Sequence, residues 1–430
     1  MPPAAPRALA LIDGEHYAPV VRAALEALPF DFVAAHMLGG TEKLRGNDDY
    51  GLPVEDDLED ALELHEPELV FDLSDEPVLG PRERFSLASR VLARGIPYEG
   101  ADFRLDPPDL DPFEHPSLSV IGTGKRMGKT AVTGYLARLL AGERDLVVVA
   151  MGRGGPPEPE VAEVPPTLER LLELSRGGGH AASDYLETAA LAGVVTVGCR
   201  RCAGGLAGKT ALTNVPDGAR LAAERNPELV IFDGSGAALP PIASERRVLV
   251  VGAHQDPAVV TGYLNAYRIL ISDLVVLTMA EEGAGHETLK RAIEEVKPSA
   301  PVIASVLRPR PVASIEGRSI AFFTTAPEAV HGELARHLQA EHGAEQVSVS
   351  GNLAKRDALR ADLERAEADL YLVEIKAAAI DVVAETASEQ DVEVIFADNE
   401  VCPLEGEPDL DAALRALADA ALAERAVRSP

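Results

Sequence analysis

The residues with the clearest chemical potential lie in a glycine-rich segment at positions 119–140, SVIGTGKRMGKTAVTGYLARLL. An apolar run ends at Gly122, a turn follows, and Gly128-Lys129-Thr130 begins a helical pattern. Backbone N–H groups in such a turn, together with the N-terminus of the helix, bind phosphate. In this motif the lysine contacts the β- and γ-phosphates of a nucleotide, and the threonine hydroxyl ligates Mg²⁺. We therefore predict an ATP–Mg²⁺ site in which Lys129 is catalytic.

The spacing of this loop departs from G-x-x-x-x-G-K-[ST], because the position of its first glycine holds Thr123 and glycines stand on either side of it. The frame GTGKRMGKT resembles the phosphate loop of dethiobiotin synthetase. An ordinary glycine turn between a strand and a helix is the alternative. The residues that we expect to contact the nucleotide are Gly122, Thr123, Gly124, Met127, Gly128, Lys129 and Thr130.

A second element of a nucleotide site is an apolar run that ends in an acid, LVIFDGSGAALPP at positions 229–241. Asp233 is placed there as a Walker-B carboxylate would be. We predict that it is catalytic and that it holds Mg²⁺ together with Thr130. The alternative is an aspartate that caps a turn or a helix.

Two cations inside the loop predict a second ligand. Lys125 and Arg126 flank the phosphates that the loop would hold. Extra positive charge beside a bound nucleotide indicates a strongly anionic substrate next to the γ-phosphate. We predict that both residues are catalytic and that Arg126 also binds substrate. A pair of solvated side chains is the alternative.

Further charged residues follow predicted strands, where the loops of a parallel sheet line the ligand crevice. We predict that Arg153, Arg200, Arg201, His16 and Lys376 bind substrate, and His16 is also a candidate for acid–base chemistry. Each also has a structural interpretation. The arginines suit an exposed surface, His16 suits a hydrogen-bonded pair with a capping aspartate, and Lys376 suits a lysine whose stem lies along an apolar surface.

Two other motifs are interpreted as secondary: the first is either a coincidental match or a supplementary basic loop, and the second is a pair of cysteines. Gly208-Lys209-Thr210 matches part of the phosphate-loop pattern, but no apolar strand leads directly into it. Cys199 and Cys202 form a C-x-x-C, and the remaining cysteine, Cys402, is far away in sequence, whereas zinc needs four ligands. We interpret the thiols as reduced and structural. A metal cluster shared between two subunits is the alternative.

Composition limits the class of protein. The 430 residues are 46% apolar and 26% charged, which is typical of a globular chain. The 40 basic and 70 acidic side chains leave a net charge of −30, which excludes a general affinity for nucleic acid and for anionic membranes. With no run of 18 apolar residues, no signal-peptide pattern and few cysteines, we expect a cytoplasmic protein.

Short apolar runs alternate with helical stretches, which predicts an α/β protein with mostly parallel sheet. A central P-loop NTPase-type sheet, like that of dethiobiotin synthetase, would be flanked by an N-terminal Rossmann-like domain and a C-terminal α/β domain. The predicted boundaries are 1–113, 114–300 and 301–430. Among the smaller elements we expect a strand near 96–98, a single helix over 257–270, and a docked helix over 409–427.

Taken together, several motifs in a constant order resemble those of the cyclic 2,3-diphosphoglycerate synthetase family. They are LIDGEHY, GTGKRMGKTAVTGYLARLL, VVVAMGRGGP with EPE, GCRRC with GGLAG, VIFDGSGAALPP, VEIKAAAIDVV and FADNEV. The resemblance covers nearly the whole chain. It implies ATP-dependent closure of 2,3-bisphosphoglycerate into a cyclic phosphoanhydride, with release of ADP and phosphate. We expect a small-molecule substrate, 2,3-bisphosphoglycerate, as the partner, no nucleic acid or membrane, and a homodimer.

The residues fit this chemistry independently, since a ligand with two phosphates and a carboxylate needs clustered cations beyond the nucleotide loop. Two other functions stay open at this point. One is a P-loop ATPase that acts as a switch or carries a metal cluster. The other is a ligase like dethiobiotin synthetase that acts on a different acidic substrate.

Overall fold

The computed structural model describes residues 4–40, 49–167, 170–171, 173–174, 183–282, 285–375 and 380–428. The chain forms two compact units. The first comprises Met1–Asp109 with Asp256–Ile271 and Glu295–Lys297, and the second comprises the remaining segments. Lys376 lies outside the described residues. None of the described helices is long and apolar enough to cross a membrane.

The first unit is built on a six-stranded sheet with the spatial order β3-β2-β1-β4-β5-β6, parallel except at β6. Its strands are β1 (Arg7–Ile12), β2 (Asp31–Met37), β3 (Val54–Glu55), β4 (Leu69–Asp72), β5 (Tyr98–Gly100) and β6 (Arg104–Leu105). Its helices are α1 (Ala18–Ala27), α2 (Leu58–His65), α3 (Pro81–Ala93), α7 (Pro257–Val260) and α8 (Asn265–Leu270). Helices between parallel strands give the predicted Rossmann-like arrangement.

The second unit contains one sheet of thirteen strands. They are β7 (Ser117–Gly122), β8 (Leu146–Gly152), β9 (Glu160–Ala162), β10 (Val195–Cys202), β11 (Leu212–Thr213), β12 (Leu229–Asp233), β13 (Arg246–Gly252), β14 (Leu274–Thr278), β15 (Val302–Pro311), β16 (Ser319–Phe323), β17 (Gln346–Ser350), β18 (Leu370–Glu374) and β19 (Glu393–Pro403). The α-helices are α4 (Lys129–Ala141), α5 (Asp184–Ala192), α6 (Val215–Ala223), α9 (His286–Val296), α10 (His331–His342), α11 (Arg356–Leu363), α12 (Ile380–Gln390) and α13 (Leu410–Arg428), and a short 3₁₀ helix covers Glu328–Val330.

Strand β7, which leads into the glycine-rich loop, is central, between β12 and β13, and both of its neighbours run parallel to it. All six of its residues are buried, because helices cover both faces of the sheet. Helices α4 and α13 pack on one face, and α6 packs on the other. The sheet edge at which β7, β8, β12 and β13 end is therefore the region where a ligand crevice is expected.

Strand β15 joins two parts of the sheet. Its first residues pair in parallel with β14, and the stretch from Ser305 to Pro311 pairs antiparallel with β19. Beyond β19, the strands β18, β16 and β17 form a parallel sheet whose faces carry α10 on one side and α11 with α12 on the other. The α/β class, the P-loop-type central sheet and its two flanking α/β parts are confirmed, whereas the boundaries near residues 113 and 300 stay predictions.

Two local predictions were wrong. The segment 257–270 forms two short helices instead of one, because Tyr263 and Leu264 adopt positive φ angles of 47° and 63° that interrupt the helix between them. The strand expected near 96–98 lies at Tyr98–Gly100. The predicted C-terminal helix is confirmed as docked, since Leu410, Leu414 and neighbouring alanines belong to the core around β7.

We predict that Leu414→Ala weakens this docking. Leu414 is fully buried, so truncation leaves a cavity and lowers the free energy of unfolding by about 2–5 kcal/mol. Urea unfolding followed by circular dichroism measures the loss. Val427→Ala on the same helix is the control, because Val427 is 86% exposed and its truncation should change stability by less than about 0.5 kcal/mol. Equal losses for the two variants would contradict the docking.

Candidate active site

The loop between β7 and α4 has the backbone shape of a phosphate-binding loop. Gly128 adopts φ +77°, and an added Cβ there would lie 3.1 Å from Leu307 Cδ1 and 3.2 Å from Thr278. The backbone therefore requires glycine on steric grounds as well as for its angle. The Thr278 hydroxyl donates a 2.6 Å hydrogen bond to the Met127 carbonyl, which fixes the turn just before the helix.

The first half of the loop is held from β13. The Thr123 hydroxyl donates to the Gln255 side-chain oxygen at 2.5 Å, and the same oxygen accepts from the Gly252 N–H at 3.2 Å. Thr123, the residue that departs from the usual motif, therefore anchors the loop to the neighbouring strand. Its side chain is buried and directed into the protein.

Lys129 and Asp233 form a buried ion pair at the centre of the site. Lys129 Nζ donates to Asp233 Oδ1 at 2.5 Å, and the Thr133 hydroxyl donates to the same oxygen at 3.0 Å. Complete burial raises the pKa of Asp233, and the charge of Lys129 opposes that shift. Asp233 Oδ2 is buried and has no hydrogen-bond partner among the described residues. A buried carboxylate oxygen without a donor is chemically suited to a hard cation such as Mg²⁺.

Asp184 is a charged residue of this site that we did not predict from the sequence. It lies in the first turn of α5, and its carboxylate would be 3.7 Å from a Cβ added to Gly152 at the end of β8. The negative charge of Asp184 helps to raise the pKa of Asp233. The same charge partly opposes the fall in the pKa of Arg201 that burial and Arg153 cause. The only signal in the sequence is a Ser-Asp pair at the start of a helix, a pattern that helix capping alone explains.

Arg153 and Arg201 converge on a cavity of about 500 Å³. It is lined by Arg153, Arg201, Cys202, Ala203, Gly204, Gly205, Ala237 and Ala238. Arg201 is 9% exposed and donates to the carbonyls of Ala203 at 2.9 Å and Ser235 at 2.8 Å. Burial and the adjacent charge of Arg153 lower the pKa of Arg201. Two like charges held together on a concave surface make an anion site.

This cavity borders the phosphate loop at Gly236. A Cβ added to Gly122 would lie 3.1 Å from the Gly236 carbonyl oxygen, so the two backbones touch. A Cβ added to Gly236 itself would lie 2.9 Å from Arg153 Nη2 and 3.4 Å from Arg201 Nη2. Gly236 thus separates the loop from the two guanidinium groups by the thickness of one backbone.

The structure brings only some of the predicted substrate residues to this place. Lys125 and Arg126 are exposed on the loop, and within the described part of the chain their side chains make no hydrogen bond or ion pair. Arg200 precedes Arg201 on β10, so its side chain is directed to the opposite face of the strand. It is not among the residues that line the cavity.

His16 lies in the first compact unit, at the end of β1. Its Nδ1 is 2.8 Å from Asp13 Oδ1 and its Nε2 is 3.3 Å from Asp75 Oδ2, so carboxylates contact both ring nitrogens. Asp13 is fully buried; burial raises its pKa, but the N–H of Asp75 and the ring of His16 lower it to a net value below the ordinary one. This geometry matches the structural interpretation of His16 that the sequence left open.

Comparison with known proteins identifies the family. Three family models of cyclic 2,3-diphosphoglycerate synthetase match the chain: the N-terminal domain at 7–106, the P-loop domain at 117–306 and the C-terminal domain at 311–400. The chain belongs to the cyclic 2,3-diphosphoglycerate synthetase family. It is therefore an enzyme, a synthetase, and its P-loop domain implies that it uses ATP.

Relatives that carry this name match over almost their whole length. The protein of Rubrobacter xylanophilus is 54% identical over 435 residues, which cover 96% of this chain and 98% of the relative. The protein of Methanothermus fervidus is 43% identical, and the match covers 91% of this chain and 92% of the relative. A solved structure of LpxK from Aquifex aeolicus in complex with ATP matches 79% of this chain and 96% of its own, with 16% identity and a TM-score of 0.45.

The cysteines of this synthetase are free, as expected. Cys199 is buried and packs against the core beside α6, whereas Cys202 is exposed on the rim of the cavity. Burial raises the pKa of Cys199 to about 12. In the described residues no group of three or more His, Cys, Asp or Glu side chains could hold a metal ion. Gly208-Lys209-Thr210 is followed by β11 and no described helix begins there, so it lacks the helix N-terminus of a phosphate loop.

We predict that iodoacetamide at pH 8 labels Cys202 and leaves Cys199 unmodified in the folded protein. With a pKa of about 12, only about one in ten thousand Cys199 thiols is ionised at that pH, and the residue is also inaccessible. Peptide mass spectrometry after timed quenching measures both rates, and the denatured protein, in which both thiols react, is the control. Comparable labelling of Cys199 in the native state would contradict this placement.

Proposed function

We propose that this chain closes 2,3-bisphosphoglycerate into cyclic 2,3-diphosphoglycerate at the end of the P-loop sheet, using Mg-ATP and releasing ADP and phosphate. Family membership provides the reaction. One observation supports this location: several cations around one short stretch of backbone have no ion-paired carboxylate in the described part of the chain. Lys125, Arg126 and Arg153 are exposed. Arg201 donates only to carbonyl groups in the contacts described above.

Electrostatics explains why the cations are gathered. The substrate carries two phosphates and a carboxylate, and the nucleotide adds three phosphates, in a protein whose net charge is −30. Bringing these anions together costs free energy unless fixed positive groups already face them. Lys125, Arg126, Arg153 and Arg201 would provide that charge, and none of these four has to leave an ion-paired carboxylate among the described residues before the substrate binds.

The chemistry is two successive transfers at phosphorus. In the first, an oxygen of one substrate phosphate forms a bond to the γ-phosphorus, and the bond from that phosphorus to the bridging oxygen of ADP breaks. In the second, an oxygen of the other substrate phosphate attacks the phosphorus that now carries the extra phosphoryl group. The added group leaves as inorganic phosphate with the bridging oxygen, and the ring closes. The protein aligns the reactants and neutralises charge.

The residues of the loop divide this work. The backbone of Gly122, Thr123, Gly124, Met127 and Gly128 would surround the phosphates, and Lys129 would move from Asp233 to the β- and γ-phosphates. The hydroxyl of Thr130 and the carboxylate of Asp233 would hold Mg²⁺, a role supported by the buried Oδ2 without a donor. When bound, the ion neutralises charge that develops on the transferred phosphoryl group. Lys125 and Arg126 would contact the substrate side of the γ-phosphate.

Some predictions stay open. Four expectations rest on the sequence: substrate contacts of Arg200, His16 and Lys376, a homodimer, a cytoplasmic location and the absence of nucleic-acid binding. The free thiols support a reducing compartment, and the net charge of −30 supports the absence of nucleic-acid binding.

We expect ³¹P NMR to detect the product. Protein incubated with Mg-ATP and 2,3-bisphosphoglycerate should give new resonances in the diphosphate range that are not those of ADP. Lys129→Ala should reduce their rate of appearance by at least about a hundredfold, because it removes charge that stabilises the transition state. Circular dichroism shows whether the variant is folded. Normal turnover by a folded Lys129→Ala variant would disprove the loop assignment.

Arg126→Ala should weaken the binding of 2,3-bisphosphoglycerate more than the binding of ATP. The guanidinium is exposed and makes no ion pair within the described chain, so its removal leaves no buried charge behind. Isothermal titration with each ligand separately measures the two dissociation constants. Arg336→Ala, at an exposed arginine of α10, is the control for a general loss of positive charge. An equal loss of affinity for both ligands in Arg126→Ala would argue against a distinct role of Arg126 in substrate binding.

A further inference from the structure

We propose that Gly236 is a specificity-determining position of this synthetase. Because it has no side chain, Arg153 and Arg201 can hold one substrate phosphate directly beside the phosphate loop. The phosphate held there is the one that attacks the γ-phosphorus. This inference rests on the proposed function and adds to it a residue, a phosphate subsite and an order of events.

The first support is the position of Gly236 between the two sites. Its carbonyl faces the first glycine of the loop, with 3.1 Å between that oxygen and a Cβ placed on Gly122. Its α-carbon faces the guanidinium groups of Arg153 and Arg201, at 2.9 Å and 3.4 Å from a Cβ built on Gly236. Any side chain at this position would occupy the space between the loop and the arginines.

The second support is the backbone of the segment that carries Gly236. It lies three residues after Asp233, and its φ of +58° is a left-handed angle that disfavours a side chain. The Ser235 carbonyl accepts a hydrogen bond from Arg201 Nη2 at 2.8 Å. The same short segment therefore carries the carboxylate proposed to bind Mg²⁺, fixes one guanidinium, and leaves an open position where the two sites meet.

The third support is the charge of the cavity. Its lining contains two guanidinium groups and no carboxylate. Asp184 lies close enough to act on Arg201, but it is not part of the lining. Within the described chain the Arg153 side chain has no hydrogen bond or ion pair, so its donors are available to a ligand. Two guanidinium groups suit the several oxygens of a phosphate dianion.

The order of events follows from adjacency. A phosphate between Arg153 and Arg201 is separated from the loop only by the Gly236 backbone. We therefore place its oxygen beside the γ-phosphate, where it would form the first new P–O bond while the bond to ADP breaks. The second substrate phosphate, which is held elsewhere, then closes the ring and displaces inorganic phosphate.

Gly236→Ala tests the role of the missing side chain. The new Cβ would displace the exposed Arg153 side chain without removing its charge. We expect the KM for 2,3-bisphosphoglycerate to rise about tenfold or more, as in Arg153→Ala, with an unchanged dissociation constant for ATP. The double variant should be little worse than either single variant, because both changes remove one interaction. Additive effects, or an equal loss of ATP binding, would overturn the role of Gly236.

Gly317→Ala is the matched control for backbone strain. Gly317 has φ +69° in the same compact unit, and an added Cβ would meet nothing within 4 Å. It should reproduce any effect of strain on stability and leave the KM unchanged. A rise in KM for Gly317→Ala equal to that for Gly236→Ala would mean that strain alone explains the result, and would overturn the proposal.

The order of events is tested in a single turnover with [γ-³²P]ATP and Arg153→Ala, which does not depend on Gly236→Ala folding. If the subsite holds the attacking phosphate, ADP formation and phosphate release slow together. ADP formation at the wild-type rate followed by delayed phosphate release would place the second phosphate there and overturn the order. Failure of the unmodified protein to form a cyclic product would instead disprove the proposed function, so the two failures are distinguishable.

Discussion

Positive charge has to be concentrated at one end of a sheet in a protein that carries a net charge of −30. A surface this acidic offers carboxylates to many of its arginines and lysines, and several in the second unit are paired in this way. Arg138, for example, pairs with Asp398 and Glu400, and Arg308 pairs with Glu281. In the cavity, backbone carbonyls take the place of carboxylates as partners of Arg201. Carbonyl groups fix Arg201 without cancelling its charge, so the charge stays available to anions.

Lys129 is the exception in this region, because it is paired with a carboxylate. Its ion pair with Asp233 is almost completely buried. Lys129 is 8% exposed and Asp233 is fully buried. A lone carboxylate in that position would be strongly unfavourable, so the lysine stabilises it in the state without ligands. The phosphates of a bound nucleotide would attract Lys129, and the carboxylate of Asp233 could then hold Mg²⁺. The ion pair thus keeps ordered the two side chains that we propose to be catalytic.

Packing around the central strand explains how the residues of the site stay well positioned although several of their side chains are exposed. Strand β7 is buried along its whole length and α4 and α13 cover one of its faces, while α6 packs on the opposite face of the sheet against β8, β10 and β12. The helix α13 comes from the far end of the chain, and its Leu414 belongs to the same core as Leu118 of β7. Glycines then allow the exposed edge to be compact, since Gly122 and Gly236 let two loops touch through their backbones.

The sequence by itself determined the class of fold, the family and the nucleotide loop, because these depend on local patterns. An apolar run, a glycine turn and Gly-Lys-Thr at the start of a helix are contiguous, and Lys129–Ala141 forms the helix expected there. The C-terminal helix was equally visible as an amphipathic pattern. Family membership followed from motifs whose order is also a property of the chain alone.

Tertiary structure decided which of the charged residues meet. Arg153 directly follows β8 and Arg201 lies in β10, and their convergence at Gly236 depends on the pairing of β10, β8 and β12. Arg200 is adjacent to Arg201 in sequence, but alternation along β10 directs it away. Asp184 reaches the site through the position of α5, and His16 is held between two carboxylates in the other unit. Sequence patterns report residue type and spacing along the chain, whereas electrostatic sites depend on distances between segments that only folding brings together.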